Sequence, residues 1–140
     1  MGVGSWALVL LLFLLGGLDA QQKSSRTVWD GVYTTAQADR GAKLFAEHCA
    51  SCHSPDMKGG PGVPGLTGAE FTFSWNNKSA GALFELMQAT MPLDAPGALT
   101  RQQYADIIAE IFRGTAFPAH AERELSPEKA ALDDVLIVKR

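Results

Sequence analysis

At 140 residues, with 46% hydrophobic and 19% charged side chains, the chain suffices for one small globular domain and needs no second. Twelve basic against fifteen acidic side chains give a formal charge of −3. Nothing along the chain forms the basic stripe of a nucleic-acid binder, so no nucleic-acid partner is expected.

The chain opens on an almost unbroken apolar run from Trp6 to Leu18, followed by Asp19-Ala20 and the polar Gln21-Gln22-Lys23-Ser24-Ser25. That run is shorter than the roughly 20 residues that span a bilayer, and Ala20 is a small residue at a plausible cleavage position. Residues 1–20 are therefore read as a signal peptide and the protein as exported to the periplasm, free of the membrane once cleaved. The first basic residue, Lys23, comes only after the apolar run, which departs from the usual basic start of a leader. An uncleaved leader would instead anchor the protein to the membrane. Neither cysteine is near the junction. Losing Asp19 with the leader leaves a net charge of about −2.

Residues 21–32 are mostly polar and read as a mobile linker. Thr34-Thr35 offers capping hydroxyls for a helix over about 36–49, on which Gly41 and Phe45 share a face. The stretch from Ser54 to Gly68 is too rich in Pro and Gly for helix or central strand. Loops of that length are uncommon in compact domains unless functional, so this one needs something large to hold it in place. Ser79 caps a helix over about 80–89 that Met91-Pro92 ends, because a residue before Pro is pushed out of the α region.

Thr100 caps a third helix carrying Tyr104, Ile107, Ile108, Ile111 and Phe112 on one side, with Gly114 where a C′ residue belongs. Residues 119–140 are charged and mixed. Ser126-Pro127-Glu128 there has the pattern of a short helix start, and Val135-Leu136-Ile137-Val138 is expected to pack on the domain. No strand set is predicted, and the fold class is all-α.

Two cysteines in an exported protein first suggest a disulfide, but their spacing argues otherwise. Cys49-Ala50-Ser51-Cys52-His53 reads as a c-type haem attachment. Residues 49 and 52 stand on one side of a helical turn, so both thiols can add to the vinyl groups along one haem edge. His53 follows where its imidazole can coordinate iron. The cofactor is thus one covalent haem c, which would supply much of the core that three short helices lack. A thioredoxin-like pair would need a βαβ context. A zinc site would need four ligands, with only His48 and His120 left to complete it.

For the sixth iron ligand, Met57 is too close to His53 to reach the opposite haem face, and Met87 lies in a helix stripe with Leu83 and Leu86, where methionine more often fills core. Met91 is held extended by Pro92 and is preferred, with Met87 and His120 the alternatives. His/Met ligation closes the iron and raises its potential.

These residues resemble class I c-type cytochromes, whose first helix ends in Cys-x-x-Cys-His and whose last helix packs across it. The resemblance covers roughly 33–118, and it implies a cytochrome c domain there with three main helices wrapped around the haem, long Gly/Pro loops and a C-terminal extension over 119–140. It further implies that the Pro64 carbonyl holds the free nitrogen of His53, that Leu66 touches the ring, and that Trp75 reaches a haem propionate. Gly41 and Phe45 would meet the last helix, where Glu110 stands in place of the family's usual aromatic; Tyr104 or Phe112 would substitute, or the contact would be looser.

More narrowly, Phe73-Ser74-Trp75, Thr90-Met91-Pro92 and Phe117-Pro118 resemble bacterial cytochromes found with quinoprotein dehydrogenases. The resemblance implies a non-enzymatic carrier between redox partner proteins, such as a quinoprotein dehydrogenase and a terminal oxidase. A haem peroxidase or gas sensor would require Met91 to leave the iron. A haem-stabilised subunit of a larger redox complex is the remaining alternative.

Overall fold

The computed structural model describes residues 25–140; the expected leader over 1–20 and the first residues of the expected linker, 21–24, lie outside the described residues. In chain order the helices are α1 (Thr35–His48), α2 (Ala50–His53), α3 (Gly68–Trp75), α4 (Ala80–Thr90), α5 (Arg101–Gly114) and α6 (Lys129–Asp133). Three short strands accompany them: β1 (Arg26–Thr27), β2 (Lys78–Ser79) and β3 (Val135–Ile137).

Side-chain caps set the helix starts. The Thr34 hydroxyl accepts from Gln37 N–H at 3.0 Å, and the Ser79 hydroxyl accepts from Ala82 N–H at 3.1 Å. Thr100 and Gln103 close a reciprocal capping box at the start of α5. These are the caps that the sequence nominates.

The dominant packing is α1 across α5. A Cβ on Gly41 would come within 1.9 Å of the Asp106 carbonyl oxygen, so the two backbones approach at a point where no side chain fits. Phe45 and the row Tyr104, Ile107, Ile108, Ile111 and Phe112 are buried around this crossing. The contact is therefore tight despite Glu110. Its carboxylate forms an ion pair with Arg113, which also bonds Asp39 on α1. Burial raises the Glu110 pKa above its ordinary value, an effect that Arg113 only partly offsets. Phe112 packs against Tyr33, Phe71 and Phe117, while Tyr104 meets Phe84 edge-on.

Several details correct the sequence expectations. Residues 26–30, expected as mobile linker, form β1 and a 3-10 turn, with Val28 and Val32 buried. Strands exist where none was predicted. β3 lies between β1, to which it is parallel, and β2, to which it is antiparallel. Strands of two or three residues are too short to show an alternating pattern, so only the long-range pairing reveals them.

Helix α3 was also unforeseen. Phe71, Phe73 and Trp75 alternate like a strand, yet Phe71 is buried and stacks on Trp75 one turn away, leaving Phe73 80% exposed. Gly114 is the last residue of α5 rather than its C′ residue, and the left-handed position falls on Ala116. A Cβ on Gly114 would meet Thr67 at 2.6 Å, so close approach explains the glycine. Helix α6 starts at Lys129, three residues after Ser126, whose hydroxyl accepts from Glu128 N–H.

The tail is stapled to the crossing through a buried amide. Gln37 donates to the Leu125 carbonyl at 2.9 Å and accepts from Leu125 N–H at 2.7 Å. The same side chain donates to Asp106, which Arg40 also holds at 3.0 Å while reaching Glu124. Within the tail, Leu125, Leu132, Val135 and Ile137 are buried. Among the described residues no helix is long and apolar enough to cross a membrane.

Candidate functional site

Helix α1 delivers the attachment motif at its C-terminal end. Cys49 leaves helical geometry with φ −125° and ψ −34°, and α2 then carries Ser51, Cys52 and His53 through one further turn. The N–H groups of Cys52 and His53 both donate to the Cys49 carbonyl, at 3.2 and 2.9 Å. Both thiols are free. Cys49 is half-buried, and burial pushes its thiol pKa up to about 11, so it stays protonated at neutral pH. Cys52 is exposed.

His53 is only 8% exposed. Its Nδ1 lies 3.1 Å from the Pro64 carbonyl oxygen, which can only accept, so Nδ1 carries the proton and donates. That fixes the tautomer and leaves Nε2 with a lone pair for a metal. The loop that presents Pro64 is closed by its own bonds. Gly59 N–H donates to the His53 carbonyl at 2.9 Å, and Leu66 N–H donates to the Met57 carbonyl at 2.8 Å. The hydroxyl of Ser54 donates to the Gly59 carbonyl at 2.8 Å. Met57 is buried in the core and anchors the loop there. The Gly/Pro loop thus has an internal scaffold that its composition does not reveal.

Met91 follows α4 in extended conformation, φ −126° and ψ 150°, as the following proline requires. Its N–H donates to the Met87 carbonyl, and its own carbonyl accepts from the Tyr104 hydroxyl at 2.6 Å. Tyr104 was read from the sequence as core only. The signal for its second role is a phenol in an otherwise apolar stripe, since a buried hydroxyl usually finds a partner.

Trp75 is half-buried, stacks on Phe71, and has the Lys78 ammonium 5.0 Å from its ring centroid. Its indole N–H has no hydrogen-bond partner among the described residues. Leu66, Trp75 and Met87 pack against the core without being fully covered. His48, half-buried, lies 3.7 Å from Glu47. His120 sits in the tail, where its Nδ1 accepts from the N–H groups of Glu122 and Arg123.

Two free thiols one turn apart and an adjacent imidazole with one nitrogen already engaged match what a covalently attached haem requires. The fold and this donor set define a c-type cytochrome of class I. The family model described as cytochrome c oxidase, cbb3-type, subunit III matches residues 36–131, and the chain belongs to that family. The cofactor is accordingly a covalently bound haem c, and the family's chemistry is haem-based electron transfer with redox partner proteins. Neither the curated proteins nor the solved structures contain a match to the chain.

Proposed function

We propose that the protein is a periplasmic carrier of single electrons, with Cys49 and Cys52 as haem thioethers and His53 and Met91 as the axial iron ligands. The bound haem would supply reversible one-electron chemistry; the polypeptide supplies fixed coordination and a covered iron. The observation that carries the reading is the backbone at Met91. It leaves the helical direction of α4, and its carbonyl is tied to α5 through the Tyr104 hydroxyl. A ligand held on both sides rearranges little when the oxidation state changes.

Pro64 orients His53 through the Nδ1 bond. Leu66 and Trp75 would contact the ring, with the unpartnered Trp75 indole N–H available to a propionate. Two filled axial positions leave no site for substrate, which makes the protein a carrier and not an enzyme. A quinoprotein dehydrogenase is the donor suggested by the resemblance around Trp75 and Met91, and a terminal oxidase is the acceptor. The match to an oxidase-subunit family favours a second reading, residence in a larger redox complex.

The test is the oxidised protein's weak near-infrared band from methionine to ferric haem. It is expected in the native protein and absent in Met91→Ala, which would also bind carbon monoxide when reduced. An unchanged band in Met91→Ala, or rapid stoichiometric carbon monoxide binding by the native protein, overturns this assignment.

A further inference from the structure

The Pro64 carbonyl that accepts from His53 belongs to the same peptide group as the Gly65 N–H, and that N–H donates to Glu70 Oε1 at 3.1 Å. Glu70 stands in the first turn of α3, and no cation is paired with it among the described residues. Two glycines make the arrangement possible. A Cβ on Gly65 would lie 2.7 Å from Glu70 Oε2, and one on Gly59 would lie 2.7 Å from the Pro64 carbonyl oxygen. The peptide group is thus packed flush against the carboxylate on one side and a bare α-carbon on the other. Gly65 itself is buried.

We propose that Glu70 is a positioning residue that lowers the reduction potential of the haem by polarising the Pro64–Gly65 peptide toward His53; the proposal rests on His53 being the axial ligand. A carboxylate accepting a hydrogen bond from the amide N–H shifts electron density onto the carbonyl oxygen, since hydrogen bonds in a chain polarise one another. The carbonyl then draws more strongly on His53 Nδ1–H, which raises the basicity of the other ring nitrogen. A more basic axial ligand favours ferric over ferrous iron, one of the levers by which a protein sets haem potential. Every link except the iron bond is drawn from contacts within this chain.

The experiment compares native holoprotein with Glu70→Gln and Glu70→Asp. Glutamine keeps an acceptor of the same length without the charge; aspartate keeps the charge but is one methylene shorter. Both are expected to raise the ferrous-to-ferric ratio at a fixed ambient potential, by about threefold to tenfold, tenfold being 59 mV for a one-electron couple. In the reduced proteins the NMR signals of the Gly65 amide proton and of His53 Nδ1–H should move upfield together, and the ratio should follow them.

Unchanged ratios in both variants overturn the proposal. So does an aspartate variant with native potential although its Gly65 amide signal has moved, because net charge alone would then explain the glutamine result. A native protein without a low-spin, histidine-ligated spectrum removes the ligand reading and this proposal with it, whereas a low-spin native protein with unmoved variants removes the proposal alone.

Discussion

The α1/α5 crossing and the segments that bear Trp75 and Met91 solve the problem of burial in opposite ways. At the crossing, Gly41 sits on the Asp106 backbone, Gln37 is fully covered and satisfied by Leu125 and Asp106, and Arg113 bridges Asp39 and Glu110. The polypeptide completes this core by itself. In the segments bearing Trp75 and Met91, by contrast, Leu86 is 51% exposed, Leu93 76% exposed and Phe73 80% exposed. These large apolar side chains, on α3, α4 and the segment after α4, are left uncovered by the polypeptide itself. Mutations at the crossing are therefore expected to act on folding, and mutations at the proposed site on haem chemistry.

The largest effect is expected from Cys49→Ala with Cys52→Ala. Covalent haem, measured as pyridine haemochrome after denaturing extraction, falls to zero; retention of covalent haem would exclude these thiols as its points of attachment. Gly41→Ala is the matching blow to the other half. The new methyl meets a backbone carbonyl that cannot swing aside, and a loss of about 3 kcal/mol in denaturant unfolding is expected. Haem attachment in the folded fraction should be complete.

Gln37→Ala strands the buried Leu125 N–H and removes one partner of Asp106. It should cost about 2 kcal/mol and speed proteolysis within 119–140 ahead of the rest. Tyr104→Phe probes the point where the two regions touch, because its hydroxyl sits on α5 and its acceptor is the Met91 carbonyl. A loss of about 1 kcal/mol is expected, accompanied by loss of the near-infrared band at lower pH than in the native protein. Stability loss without a shift in that transition would confine Tyr104 to the core.

The smallest effect concerns Glu110. Burial holds its pKa above the ordinary 4.5, so between those two values the folded state binds the proton more tightly than the unfolded chain. Its contribution therefore favours folding below the ordinary value and is lost as pH rises through the raised one. Glu110→Gln should flatten that part of the stability profile, as followed by thermal melts between pH 4 and 7; a profile identical to native would show that the Arg113 pair cancels the burial cost.

Legibility from sequence followed the range of each interaction. The caps Thr34, Ser79 and Thr100 were readable because a hydroxyl bonds a backbone N–H only two or three residues on. Met91's extended backbone was readable because Pro92 imposes it locally. The Pro64 carbonyl was placed against His53 by family resemblance, and the 3.1 Å contact agrees with that placement. Glu70 was missed along with α3, since the alternating aromatics disguised a helix, and its partner is an amide rather than a charged group. The strands escaped notice because Arg26 and Val135 pair across almost the whole described chain.

By itself the sequence determined that a haem is attached, since Cys49-Ala50-Ser51-Cys52-His53 is legible from adjacent residues alone. It also determined the helix boundaries that depend on neighbouring residues. Only the tertiary structure decided what surrounds them: that Gly41 admits the Asp106 backbone, that Tyr104 meets the Met91 carbonyl, and that one peptide group joins Glu70 to His53. The reason is physical. A side chain's reach along its own segment is set by its covalent neighbours, whereas which distant atoms come within 3 Å depends on how the whole core packs.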